Sequence, residues 1–234
     1  MGKRDYISFS SAAKSRFRCL SKELGYEQIT GTLYAKDCGE WYELIGLQAS
    51  SYGNPFFYVN YGIGIAQLWP NEEPKPVKEL GLIIADRLRY NEKGAFPSGS
   101  KQEIEDSAQS VIIEYRKQAL PRLEKLSSWG AIAQAYFETT SLDHARLGVH
   151  SYEYGEDGRA AVYGRMLMKA GDIDNALLWF REAERIKSLP KYLTRDGRIV
   201  HEEEANSRLR EPSDSELDFL SELRKMIRDC SKMS

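Results

Sequence analysis

The chain has 234 residues, 41% of them hydrophobic and 29% charged, enough to bury a core without disulfides or metals. Its 33 basic and 35 acidic residues leave a formal net charge of -2, which argues against a dedicated nucleic-acid binder, because such proteins carry a basic excess or a basic face. A local basic patch stays open, since totals hide distribution.

The three cysteines, Cys19, Cys38 and Cys230, are odd in number and show no CxxC spacing, which reads as reduced thiols in a reducing compartment. The sequence leaves a Cys19–Cys38 bridge open. No apolar run follows the basic start MGKR, so no signal peptide is expected. Tyr6 stands where a myristoylation motif wants Ser or Thr. The longest apolar runs are too short for a bilayer. The expectation is a cytoplasmic protein without membrane contact.

The first predicted element is an amphipathic helix over 8–24. Phe9, Ala13, Phe17, Leu20 and Leu24 recur at helical spacing, Ser8 or Ser10 stands at its start, and Gly25 stands where a helix stops. The period then changes to two. Strands are predicted over 29–37 and 40–50, joined by a turn at Asp37, Cys38 and Gly39. A second turn, SYGNP, precedes a third strand over 56–69. The three prolines of residues 70–81 forbid regular structure there. A fourth strand, 82–90, carries Arg87 and Arg89 on one face.

From about residue 100 the pattern is helical. Ile104, Ala108, Val111, Ile112 and Tyr115 form one stripe, and Ser100 with Glu103 makes a capping-box pattern. Pro121 suits the first turn of a new helix bearing Leu123 and Leu126. Trp129, Ile132, Ala133, Tyr136 and Phe137 continue the helical pattern over 128–138. The fold class is therefore α+β: an N-terminal helix, a four-stranded antiparallel meander, then a helical C-terminal half. The expected division is an α+β domain over 1–140 and a helical extension over 141–234.

Within FFYVNYGIGI, Phe57, Val59, Tyr61, Ile63 and Ile65 share the core face. Phe56, Tyr58, Asn60, Gly62 and Gly64 share the other, and Gly46 adds to the same low spot. Strand glycines mark a bulge, a bend or a close approach by another backbone. Two readings stand: helix 8–24 packs over these glycines, or a partly wet contact groove is lined by Tyr42, Gln48, Tyr58 and Asn60. The GIG is not a dinucleotide fingerprint, because Gln67 stands at its third glycine position and the segment reads as a strand. No P-loop is present.

The order SAAK…F…L…LGY, a strand pair ending in IGLQAS, then FFYVNYGIGI, IADRLR and ALPRLEKLSS resembles the bacterial family called domain of unknown function 4304. The resemblance spans about residues 7–138. It implies an α+β domain and carries no chemistry over. A toxin-immunity role is an analogy with other small bacterial α+β proteins.

Further on, Gly164, Gly171, Ala176, Phe180 and Ala183, with Leu167 and Ile173, resemble one tetratricopeptide hairpin over about 158–186. Ala160 departs from the motif's tryptophan, and one repeat does not make a solenoid. A single hairpin packed on the main domain or on a partner is the simpler reading. Residues 192–215 are polar, with RDG as a turn, and IVHEEEANSRL reads as a short helix or a loop. A final helix over 213–230 carries Leu217, Leu220, Leu223 and Ile227 and would cap the hairpin.

No catalytic motif is found. His144 and His150 are six apart and share no helical face, and His201 beside Glu202, Glu203 and Glu204 has the wrong spacing for a metal site. No metal or cofactor is expected. Arg87 and Arg89 are candidates to clamp an anion bidentately, or else form cross-strand ion pairs. The function these features favour is a non-enzymatic protein-binding module, of immunity or adaptor kind. Tyr42, Gln48, Tyr58, Asn60, Arg87, Arg89 and the hairpin residue Trp179 are its contact candidates. The alternative is an enzyme or small-molecule binder that holds an anionic ligand through the arginines of the sheet groove.

Overall fold

The computed structural model describes residues 17–50, 54–69, 72–90, 94–141, 156–189, 192–193, 199–200 and 208–233. The first half of the predicted N-terminal helix, His144, His150 and the His201–Glu204 run lie outside the described residues. The chain forms two compact units. One extends to Ser127, and the other comprises Ser128–Thr140 and the chain from residue 156 onward.

In the first unit, α1 (Arg18–Leu24) follows the fully buried Phe17 and buries Leu20. Gly25 ends it at φ 75, with its N–H bonded to the Ser21 carbonyl, a conformation that costs glycine little. The sheet then runs β1 (Glu27–Gln28), β2 (Leu33–Asp37), β3 (Tyr42–Ala49), β4 (Phe56–Gly64) and β5 (Ile84–Arg87), each antiparallel to the next. A short β6 (Phe96–Pro97) pairs with the start of β4. The α+β meander is therefore as the alternation predicts.

Two boundaries differ from the expectation, each for a local reason. The strand predicted over 29–37 is interrupted because Thr30 Oγ1 accepts the N–H groups of Thr32 and Leu33 at 3.2 and 3.0 Å, a side-chain turn that reverses the chain. The strand predicted over 56–69 stops at Gly64, because the chain folds back and the Lys75 N–H reaches the Ala66 carbonyl at 2.8 Å. The predicted turn at Asp37–Gly39 is present, with the Gly39 N–H donating to Asp37 Oδ1 at 2.7 Å.

One sheet face buries Ile45, Leu47, Phe57, Val59, Tyr61 and Ile63. Phe17 meets Phe57 edge-on at 5.4 Å, and Phe96 stacks on Phe57 at 5.4 Å. Helix α2 (Lys101–Glu114) buries the predicted stripe Ile104, Ala108, Val111 and Ile112, and Ser107 Oγ ties it to the Pro97 carbonyl at 2.7 Å. Ser100 caps it by accepting the Glu103 N–H at 3.1 Å. Pro121 stands in the first turn of a short helix, Leu120–Leu123, as expected. Between α2 and that helix the backbone widens into a π turn, Tyr115–Ala119. Proline lacks an N–H and crowds the preceding turn, and the wider turn relieves both.

The second unit holds α3 (Trp129–Ser141), α4 (Glu156–Lys169), α5 (Ile173–Lys187) and α6 (Asp214–Met233). Helices α4 and α5 fold back on each other as a hairpin. Its turn closes with Gly171 at φ 82 and the Asp172 N–H on the Leu167 carbonyl. The small face of Gly164 receives Phe180, where an added Cβ would sit 3.0 Å from the ring and 3.2 Å from the Ala176 carbonyl. Helix α6 lies along α5, with Arg224 Nε donating to Glu184 Oε1 at 2.6 Å. Its buried stripe is Leu220, Leu223, Met226 and Cys230, while Leu217 is exposed. Residues 201–207, the middle of the IVHEEEANSRL segment, lie outside the described residues. Three two-residue strands, β7 (Tyr192–Leu193), β8 (Ile199–Val200) and β9 (Arg208–Leu209), pair around β7. Paired β-branched residues such as Ile199–Val200 favour that extended pairing over a helix.

Candidate functional site

The alternation of β3, β4 and β5 puts Gly46, Gln48, Phe56, Tyr58, Asn60 and Arg87 on the sheet face opposite Phe57. The ladder pairs Gln48 with Tyr58, Gly46 with Asn60, and Asn60 with Arg87. Four of the predicted contact residues therefore meet across three strands. Arg87 Nε donates to Asn60 Oδ1 at 2.9 Å, and its terminal nitrogen reaches Gln48 Oε1 at 3.4 Å. Asn60 Nδ2 donates to the same Gln48 oxygen at 3.1 Å. The guanidinium carbon sits 4.3 Å from the Tyr58 ring centroid, and Phe56 braces Tyr58 edge-on at 5.6 Å.

This arrangement holds a cation on an aromatic face and fixes it with two amides. Burial lowers the Arg87 guanidinium from its ordinary value, while the Tyr58 phenol acts the other way; the group stays charged. Among the described residues no carboxylate side chain pairs with it. The cluster keeps N–H donors in hand for a carboxylate or phosphate, which a guanidinium meets in bidentate geometry. Beside it, an added Cβ at Gly46 would meet nothing within 4 Å, so the low spot on this face is open at Gly46.

The other two glycines are not an open groove. A Cβ at Gly62 would lie 1.8 Å from the Ile84 carbonyl oxygen, and one at Gly64 would lie 2.5 Å from Leu44 Cδ1. They admit a neighbouring strand and a neighbouring side chain. The described end of the N-terminal helix meets the opposite face through Phe17, and the rest of that helix lies outside the described residues. Tyr42 shares the sheet face but sits at its far end, packed with Ile29, Ala66, Val77 and Leu82 around Ala35, Leu44 and Leu80.

Arg89 is not brought beside Arg87. It lies past the end of β5, where its N–H donates to Gln118 Oε1 at 3.0 Å and its carbonyl accepts from Gln118 Nε2 at 2.8 Å. Its charge acts on Tyr61, which faces the other side. The expected arginine pair is thus a single arginine with an amide and aromatic setting. Trp179 belongs to the second unit. Phe56 is the contact residue that sequence reasoning left out, although its place in the alternation beside Tyr58 carried the signal.

The covered face holds a polar network that the sequence did not suggest. Tyr26 donates to Glu43 Oε2 at 2.9 Å, the Tyr26 and Tyr115 hydroxyls are 2.6 Å apart, and Lys36 Nζ lies 3.3 Å from Glu43. Burial pushes the Tyr115 hydroxyl up to about 12 and Tyr26 higher still. Burial and then Glu43 raise the Cys38 thiol, which makes it a weak nucleophile. Asp86, opposite Tyr61, pairs with Arg122. These groups are mutually satisfied, as buried polar groups must be. Among the described residues no group of three or more His, Cys, Asp or Glu is placed to hold a metal, and no helix is long and apolar enough to cross a membrane.

The first unit is an α+β domain with one covered and one partly open sheet face. Residues 19–125 match the family model described as a domain of unknown function, DUF4304, a span that includes every member of the Arg87 cluster. No curated protein and no solved structure matches the chain.

Proposed function

We propose that the chain is a non-enzymatic protein-binding module, and that the open sheet face of its first unit receives a carboxylate-bearing segment of a protein partner. One observation carries this reading. The Arg87 guanidinium is part-buried, laid on Tyr58, fixed by Asn60 and Gln48, and faces no carboxylate among the described residues. Pre-organising a cation without its counterion lowers the cost of receiving an anion. Phe56, Tyr58 and the open spot at Gly46 supply the apolar surround typical of interface anchors. The helical hairpin of the second unit supports the same class of function. Its Gly164–Phe180 contact supports reading it as a tetratricopeptide-like hairpin, a scaffold suited to presenting grooves to other proteins. An adaptor or toxin-immunity role in a bacterial cytoplasm is the setting this reading favours.

The test is affinity capture of the tagged chain from its native cells, with mass spectrometry of the eluate, beside an Arg87→Glu variant whose folding is checked by circular dichroism. The expected result is one partner in near-equal amount that the variant loses. A partner retained by Arg87→Glu would overturn the sheet-face reading. A chain that captures no protein but is stabilised in a thermal-shift screen by a small carboxylate or phosphate, through Arg87, would establish the small-molecule alternative instead.

A further inference from the structure

Helices α3, α4 and α5 of the second unit enclose a cleft of about 550 Å³ lined by Phe137, Tyr163, Trp179, Gln134, Asp172 and Asn175, with small and aliphatic residues at its base. The three rings touch one another. Phe137 and Tyr163 centroids are 5.2 Å apart, Tyr163 and Trp179 are 5.0 Å apart at 78°, and Phe137 and Trp179 are 5.8 Å apart at 70°. Phe137 is 42% exposed although it continues the apolar pattern of α3. Three large rings are gathered at this cleft, and the face of an aromatic ring is the negative side of its quadrupole.

The polar groups have the same sign. Among the described residues lining the cleft Asp172 alone is charged, and it is the N-cap of α5, its Oδ1 accepting the Asn175 N–H at 3.3 Å. Its proximity adds to burial in raising the Tyr163 phenol. The amide nitrogens of the two cleft amides are turned to carboxylates. Gln134 Nε2 donates to Glu138 Oε1 at 2.8 Å, and Asn175 Nδ2 donates to Asp172 Oδ2 at 2.9 Å. Their carbonyl oxygens accept no hydrogen bond among the described residues. Lys169, next in sequence to the cleft residue Ala170, is engaged 4.7 Å over the Trp129 ring. The same unit thus already holds one cation on an aromatic face.

We infer that this cleft is a receptor for an arginine side chain presented by a peptide segment of a protein partner. A guanidinium is flat, stacks on aromatic rings and carries five N–H donors. It answers a site made of π faces, two amide oxygens and one carboxylate better than an ammonium does, because an ammonium cannot stack. The site is separate from the sheet face, and its test does not depend on the sheet-face reading.

The experiment titrates the full ¹⁵N-labelled chain with acetyl-Ala-Arg-Ala-amide and follows the Trp179 indole N–H by NMR. A citrulline peptide of the same length and tetramethylammonium are run in parallel. The expected result is a saturable shift at Trp179 with the arginine peptide and binding roughly tenfold weaker or worse for the other two, about 1.4 kcal/mol in free energy. Asp172→Asn should weaken the arginine peptide several-fold while leaving the fold intact, because asparagine caps a helix as well as aspartate does. Equal binding of the citrulline peptide would overturn the inference, as would tetramethylammonium binding as tightly as the arginine peptide. So would a Trp179 resonance that does not move in the folded chain.

Discussion

Gly62→Ala is the sharpest perturbation of the open sheet face. The new Cβ would stand 1.8 Å from the Ile84 carbonyl oxygen, more than 1 Å inside the 3.0 Å that real Cβ atoms keep. The obstacle is backbone, so no side chain can swing away. Strand β5 must move off β4, and the ladder from Asn60–Arg87 to Ile63–Ile84 must open. Loss of about two ladder hydrogen bonds, together with overpacking strain, gives a cost of about 2–4 kcal/mol. The same movement should withdraw Arg87 from Asn60 and Tyr58, so binding at this face should fall with stability. Gly46→Ala is the internal control. It lies on the same face, opposite Asn60, and its Cβ would meet nothing within 4 Å. That change should be neutral or stabilise by about 0.5–1 kcal/mol through the unfolded state. Urea unfolding followed by circular dichroism measures both, and the Arg87 Nε–H resonance reports the displacement. If Gly62→Ala stays within about 0.5 kcal/mol of the wild type, or if Gly46→Ala costs as much, close strand approach is the wrong account of these glycines.

Two further outcomes follow from the buried groups. Tyr115 is raised to about 12 and Tyr26 higher, so the folded state holds protons that the unfolded chain releases near pH ~10. Stability from this pair is fully present below that pH and falls as pH rises from about 10 toward 12, by about 1.4 kcal/mol per unit for each tyrosine. Tyr26→Phe should flatten part of that slope in alkaline urea titrations, and an unchanged slope would refute the buried hydroxyl pair. In the hairpin, Gly164→Val drives methyl groups into Phe180 and the Ala176 carbonyl, and calorimetry should show a loss of about 1–3 kcal/mol.

The order of helix, meander and helices is legible because burial in each element follows a single period. Phe57, Val59, Tyr61 and Ile63 alternate without a fault and are all buried. What escapes the sequence is decided by contacts between distant segments. The Thr30 turn looks like strand because Ile29, Thr30 and Thr32 are good strand formers, and only the local hydroxyl bonds break the run. Arg87 and Arg89 look like a pair because they are two apart, but β5 ends at Arg87, so the alternation that would align them no longer holds. The Tyr26–Tyr115–Glu43 network is invisible because its tyrosines are 89 residues apart. Phe137 reads as core from its helical spacing, yet it lies on the side of α3 that meets Tyr163 and Trp179 and opens into the cleft.

The near-neutral total charge concealed the most informative feature of the chain, which is where charge lacks an opposite. On the sheet face a cation is held by two amides and a ring. In the cleft a carboxylate and two amide oxygens stand among three rings. Each setting is polar enough to stay wet when empty and aromatic enough to gain from being covered. A surface shaped only by folding would have paired Arg87 with a neighbouring carboxylate, as Asp86 is paired with Arg122 and Glu184 with Arg224. Among the described residues Arg87 has no such partner, which is what the proposed recognition role rests on. It also makes the charge of the occupant, rather than its size, the property that substitutions at Arg87 and Asp172 should read out.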